Sequence, residues 1–308
     1  MTALLTNNLP LLAGAPNGIK KLRELILELA VRGKLVPQDR SDEPASELLK
    51  RIAEEKTRLV AGEGLRTTAR EDVPEDEHYF ELRRGWAYSR LGNLARFIDY
   101  RGKTPTKTKS GTPLITAKNV RIGFISREPR EFIDEESYIS WMTRGFPRQG
   151  DMLFTTEAPM GNVALIDISE RFALAQRVIC FQLHELQIGP FLKLAIMSTG
   201  FQAQLLDAAT GMTATGIKSS RLKEIPVALP PLAEQHRIVT KVDELMALCD
   251  RLEAQQADAE SAHILLVRAL LDSLALATDF ATSWQRLAEH FHTLFITESS
   301  IDALKHTQ

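Results

Sequence analysis

The side chains best suited to chemistry in this chain are scattered, and their spacing argues against catalysis. Gly102-Lys103-Thr104 has the ending of a phosphate-binding glycine loop but lacks the upstream glycine at the required interval. His290 and His292 are two residues apart, which is not the spacing that puts two zinc ligands on one helical face. His236, beside Gln235 at the start of a long helical pattern, reads as a structural or interface histidine. Asp151 and Glu157, with Gly150 and Gly161 close by, could serve a paired-carboxylate nuclease, but no lysine follows at a supporting interval. No serine lies in a nucleophile elbow, and no strand leads into Gly-x-Gly-x-x-Gly. Cys180 reads as a strand residue of the core. The expectation is a chain that is not an enzyme by itself, with no catalytic residue, no metal site and no cofactor of its own.

Charge tells more. Between Arg83 and Arg130 lie twelve basic residues against two acidic ones, Asp99 and Glu128, so this window is about +10 in a chain of net charge -2. A charge run is usually a solvated face, but here it is mixed with Gly, Thr, Ser and Asn, which let backbone approach a phosphate. Arg101-Gly102-Lys103-Thr104-Pro105-Thr106-Lys107 reads as an exposed basic loop. Thr116-Ala117-Lys118-Asn119-Val120-Arg121 and Gly211 to Lys218 have the same chemistry. Lys and Arg match guanine and Asn matches adenine in the major groove. The candidate DNA contacts are therefore Arg101, Lys103, Thr104, Lys107, Lys109, Lys118, Asn119, Arg121, Thr213, Thr215 and Lys218. For Thr104, Thr213 and Thr215, simple turn chemistry is the competing reading.

These loops need elements to hold them. Leu22, Leu25, Ile26 and Leu29 recur at helical spacing and Gly33 offers a stop. A second helix opens near Pro44 with Leu48, Leu49, Ile52 and Leu59 on its apolar face. Residues 61 to 78 turn polar and acidic, as a linker does. From Leu82 to Pro230, short apolar runs such as Pro113–Ile115, Asp151–Phe154, Val163–Ile166 and Val178–Phe181 alternate with turn residues, which predicts a mixed α/β domain. Phe191 to Leu206 reads as one helix on its sheet. After Pro230-Pro231 a long helix runs to about Thr278. Ile238, Val242, Leu245, Cys249, Leu252, Gln256, Ala259, His263, Leu266 and Leu270 step by four and three, a heptad seam for a partner helix. A helical piece from Trp284 to Phe295 follows. The division is thus 1–81 helical with a linker, 82–230 α/β, 231–278 spacer helix and 279–308 terminal helical segment.

The remaining bulk features narrow the setting. The composition is ordinary for a globular protein, 44% hydrophobic and 25% charged, with a pI near 6.4. Two distant cysteines provide neither a disulfide framework nor zinc spacing, which fits a reducing cytoplasm. The apolar stretch from Asn8 to Ala15 is short and broken by Pro10, so neither a signal peptide nor a membrane span is expected.

Taken together, several segments resemble the specificity subunits of type I restriction-modification enzymes. Lys21 to Gln38, with Arg32-Gly33-Lys34-Leu35-Val36-Pro37-Gln38, looks like a shared segment of that family, as does Asp42-Glu43-Pro44-Ala45-Ser46-Glu47-Leu48-Leu49. Ile225-Pro226-Val227-Ala228-Leu229-Pro230-Pro231-Leu232-Ala233-Glu234-Gln235-His236-Arg237 matches its junction into a spacer helix. Trp86, Leu91-Gly92, Gly102-Lys103-Thr104-Pro105 and Gly150-Asp151-Met152-Leu153 fit its sparser internal pattern. The resemblance implies a bacterial or archaeal DNA-recognition subunit of a coiled-coil-spaced complex that directs methyltransferase and restriction/translocase subunits to a bipartite site on double-stranded DNA. S-adenosylmethionine, ATP and Mg would belong to those partners. Family members carry two recognition domains and two spacer helices, whereas this chain has one of each. Ile301 to Gln308 is similar to the start of a second copy of the Ile19 to Gly33 segment. The expectation is a half-length form that could homodimerise through its spacer helix. The competing readings are a non-reading scaffold or regulatory half-subunit that occupies methyltransferase subunits, and a stand-alone nuclease.

Overall fold

The computed structural model describes residues 15, 17–63, 72–100, 104–210, 215–276, 279–295 and 301–302. Two compact units partition them, one from Arg23 to Leu245 and one formed by the described residues up to Leu22 and from Met246 onward. Two helices open the chain, α1 (Gly18–Val31) and α2 (Ala45–Glu63). Leu22, Ile26 and Ala30 recur every four residues and are buried, but Leu25 is 42% exposed. The apolar stripe of α1 is therefore narrower than its sequence pattern. Gly33 follows with φ +65°, the left-handed conformation that ends a helix. A side chain there would also collide with Arg83 and Trp86, each 2.7 Å from its Cβ position.

The larger unit is built on a mixed α/β region. Its strands are β1 (Ala87–Arg90), β2 (Ala95–Asp99), β3 (Thr112–Ile115), β4 (Phe132–Ile133), β5 (Met152–Thr155), β6 (Val163–Leu165), β7 (Ala173–Leu174), β8 (Val178–Leu183) and β9 (Pro226–Leu229). Between them lie helices α3 (Leu91–Leu94), α4 (Glu135–Trp141), α5 (Gly189–Met197), α6 (Thr199–Ala208) and α7 (Ser219–Leu222). The main sheet is antiparallel throughout, in the order β2-β8-β5-β6. A second sheet has the order β4-β3-β7, with β3 and β7 parallel. β1 and β9 pair antiparallel, Ala87 opposite Leu229, so the two ends of the α/β region meet.

The expected strands form where short apolar runs demanded burial. Ile98, Cys180 and Leu153 sit opposite one another on adjacent strands and share one core with Leu114, Ile115, Ile133, Tyr138 and Leu174 of the second layer. On the other face of the main sheet, Phe181 packs its ring on Phe97 (4.4 Å) and Phe154 (5.4 Å). Met152, Leu153 and Phe154 are all fully buried. Burial on both faces explains why β5 reads as an unbroken apolar run and not as an alternation. Cys180 lies inside this core, where burial pushes its thiol well above the ordinary range.

One expected helix is two. The Phe191–Leu206 pattern breaks at Ser198, whose backbone is extended (ψ 151°) and whose side chain accepts from the Phe201 N–H. A serine that can cap the next helix competes with continuing the first. The spacer helix α8 (Leu232–Ala275) is continuous over 44 residues. Its seam divides. Ile238, Val242 and Leu245 are at most 1% exposed in the chain's own fold, which corrects their expected role as residues open to a partner. Leu252 is half-buried, and residues 253–262 are exposed on every side. Farther on, Val267 and Leu271 form a small core with Leu287 of α9 (Phe280–Glu289) and Phe295 just after α10 (Phe291–Leu294). The His263 ring lies 2.8 Å from the Leu294 carbonyl, fixing that turn. Leu266, assigned to the seam, is 52% exposed, beside Leu265 at 66%. Among the described residues no helix is long and apolar enough to cross a membrane.

Candidate nucleic-acid interface

The segment after β3 is a tight hairpin. Val120 and Ile125 form an antiparallel bridge, and the Arg121 N–H donates to the Phe124 carbonyl at 3.0 Å. Ile122 and Gly123 make the turn, Gly123 at φ +87°. Asn119 holds its base. This side chain is 2% exposed and accepts from the Thr116 N–H (3.0 Å) and hydroxyl (2.8 Å). Its amide donates to the carbonyls of Ser126 (3.2 Å) and Pro129 (3.1 Å). The expectation that Asn119 reads an adenine edge is thereby corrected, because both its donors and its acceptor are already engaged inside the loop. Its neighbours Lys118 and Arg121 are exposed, and neither has a carboxylate partner among the described residues.

The turn between β5 and β6 anchors this hairpin. Buried Thr155 accepts from the Asn162 N–H at 3.0 Å, and the Asn162 side chain donates to the Val120 carbonyl at 2.9 Å. The Gly123 N–H donates to the Val163 carbonyl at 2.8 Å. The same turn holds the third expected loop from its other end. The Ile217 N–H donates to Thr156, and Gly216 bridges both Glu157 and Thr210. Exposed Thr215 and Lys218 are thus carried on the same scaffold as Lys118 and Arg121. Asn162 and Thr155 are positioning residues that sequence reasoning missed. The available signal was Gly161-Asn162 directly before the apolar run Val163–Ile166, a turn signature.

The first expected loop sits elsewhere. The Thr108 N–H donates to the Phe132 carbonyl at the edge of β4, and the Lys107 ammonium lies 2.7 Å from the Glu131 carboxylate. Thr104 is half-buried, while Lys109 is exposed with no partner among the described residues. Arg101, Lys103 and Thr213 lie outside the described residues. Several other cations of the basic window are matched by acids distant in sequence. Arg90 makes a two-pronged pair with Glu77 (2.8 and 2.9 Å), and Arg127 pairs with Asp167 (3.1 Å). Charge counted along the sequence therefore overstates the field; among the described residues of the window, Arg83, Arg84, Lys109, Lys118 and Arg121 have no ion-pair partner, and Lys218 joins them from the third loop.

The two carboxylates considered for a nuclease have separate structural duties. Asp151 is fully buried and accepts from the Arg148 backbone (2.9 Å), the Arg148 guanidinium (3.0 Å) and the Leu183 N–H (3.1 Å). Glu157 is ion-paired with Arg177 at 2.7 Å. Among the described residues no three His, Cys, Asp or Glu side chains are grouped as metal ligands.

A family model described as the type I restriction modification DNA specificity domain matches residues 83–260. The chain is 36% identical to the specificity subunit of the Escherichia coli type I restriction enzyme EcoAI, over 94% of this chain and 50% of that protein. It is also 36% identical to the EcoEI specificity subunit of E. coli, with the same coverage. The chain spans about half the length of the curated relatives it matches. A crystal structure of the HsdS subunit from Thermoanaerobacter tengcongensis aligns at 17% identity and a TM-score of 0.46, covering 84% of this chain and 54% of that one.

Proposed function

Because this chain belongs to the family of type I restriction modification DNA specificity domains, we propose that it selects the DNA site at which partner subunits act and carries no catalytic step. One observation carries the reading: two loops bearing Lys118, Arg121, Thr215 and Lys218 hang from one rigid turn with their cations unmatched. Unpaired cations on a pinned backbone suit phosphates spaced along a duplex. Arg101, Lys103, Thr104, Lys109 and Thr213 extend the proposed contact surface, whereas Lys107 is engaged by Glu131. Methylation and restriction, with S-adenosylmethionine, ATP and Mg, fall to methyltransferase and translocase subunits. The fully exposed stretch 253–262 and exposed Leu265 and Leu266 support a helical partner for α8, either a second copy of this chain or a methyltransferase subunit.

The test is duplex binding across a range of salt for wild type and a Lys118→Ala, Arg121→Ala, Lys218→Ala variant. Each lost phosphate contact is expected to lower the salt slope by about 1. An unchanged slope and affinity would refute the surface. Light scattering addresses the partner: a dimer, or a two-to-two complex with the methyltransferase subunit, supports pairing through α8, and a strict monomer opposes it.

A further inference from the structure

Two of the most exposed large apolar residues in the α/β region sit at the tip of the basic hairpin. Ile122 is 65% exposed and Phe124 60%. Nothing local calls for them, since a turn of this kind accepts polar residues at lower cost. Their backbone is held from three sides: by the Arg121–Phe124 bond, by Gly123 to Val163, and by Asn162 to Val120. Asn119 locks the base. This is an apolar pair presented on a rigid support, next to the free cations of Lys118 and Arg121, with Arg127 already matched by Asp167. By contrast, the exposed Ile139 lies on α4 with Glu135 and Glu136, a setting that repels a polyanion.

Resting on the DNA-reading function proposed above, we propose that Ile122 and Phe124 enter the major groove and recognise the 5-methyl group of thymine. The shape selects the groove. The tip is a miniature two-stranded ribbon, closed by the Val120–Ile125 bridge. The major groove, about 12 Å wide, admits a ribbon, whereas the minor groove at about 6 Å does not. In the major groove the thymine methyl is the feature that an apolar side chain can read. Lys118 and Arg121 then hold the flanking phosphates and keep the tip in register. Sequence preference thus comes from side chains that carry no hydrogen-bonding group.

The experiment begins with a randomised duplex pool, from which the preferred duplex of the full chain with its methyltransferase partner is selected. Each thymine is then replaced singly by deoxyuridine, which removes only the methyl. For wild type, at least one replacement is expected to weaken binding about fourfold, the worth of one buried methyl. The Ile122→Ala, Phe124→Ala variant is expected to bind the parent duplex more weakly, with an unchanged salt slope, and to lose discrimination at that same thymine. Both side chains are exposed, so thermal melting should match wild type. The inference is overturned if no thymine is methyl-sensitive, if the variant keeps the discrimination, or if the variant loses methyltransferase assembly while DNA affinity holds, which would make the tip a protein contact. A wild type that selects no preferred duplex defeats the broader DNA-reading function, and this inference with it. A preferred duplex without methyl sensitivity defeats this inference alone.

Discussion

The Thr116–Arg127 hairpin and the Thr104–Lys109 segment are both basic and contain no acidic residue, yet the fold puts them to different uses. The hairpin is locked by uncharged side chains, chiefly buried Asn119 and half-buried Asn162, so Lys118 and Arg121 stay open. The edge segment is tied to β4 partly through its own cation, Lys107 on Glu131. A basic loop presents charge only when something else supplies its rigidity. Where the lysine itself is a tether, its charge is largely spent within the protein.

The largest expected effect tests the lock. Asn119→Ala removes a buried amide and strands the Thr116 N–H and the Ser126 and Pro129 carbonyls. With about 1–3 kcal/mol for each buried polar group left unpaired, and partial relief by relaxation, the loss of stability should be about 3 kcal/mol. Chemical denaturation measures it, and DNA binding should fall in parallel as the tip loses its support. A change below about 0.5 kcal/mol would mean that Asn119 is not what makes the hairpin rigid.

Next in size is the cation difference. Removing Lys118 and Arg121 together should weaken duplex binding by about 10-fold or more at moderate salt and lower the salt slope by about 2, with melting unchanged because exposed substitutions seldom move stability. If the double variant instead loses stability without losing affinity, the contrast between the loops is reversed.

How far this site could be read from sequence follows from the same contrast. Strand positions were legible because Met152 to Phe154 and Val178 to Phe181 must be buried, and burial leaves a compositional mark. Turn positions were legible from Gly and Pro. The direction of a loop asparagine was not, because an amide suits a base edge and a backbone carbonyl equally, and only the arrival of Ser126 and Pro129 around Asn119 decides. Ion pairs across long separations, such as Arg90 with Glu77 and Glu224, were hidden for the same reason. The split of the α8 seam depended on which residues the chain's own fold covers, and the heptad itself does not carry that.

Acid provides a further separation. His184, at the end of β8, is held down to about 4, first by burial and then by the Lys56 charge. Its folded value lies below the unfolded value of about 6.5, so the unfolded state binds the proton first. Stability is full above pH 6.5 and is lost as pH falls toward 4. Thermal melts at pH 7, 5.5 and 4.5 should decline, and His184→Gln should flatten the decline. An identical decline in that variant would place the acid sensitivity elsewhere. Above pH 6.5 the loop comparison is free of this effect.

The smallest expected effect is the most diagnostic for the edge segment. Lys107→Ala removes an ion pair whose lysine is half exposed, so its cost should be about 0.2–1 kcal/mol. Duplex affinity should change by less than about twofold, because a lysine engaged by Glu131 gives little to a phosphate. Glu131→Gln is the sharper probe: it frees the ammonium without altering its position on the edge. If the loops differ only in how their cations are employed, Glu131→Gln should raise affinity and steepen the salt slope by up to about 1. If Glu131→Gln leaves both unchanged, the edge segment lies away from the duplex, and the rigid hairpin with its neighbouring Thr215–Lys218 loop carries the contact alone.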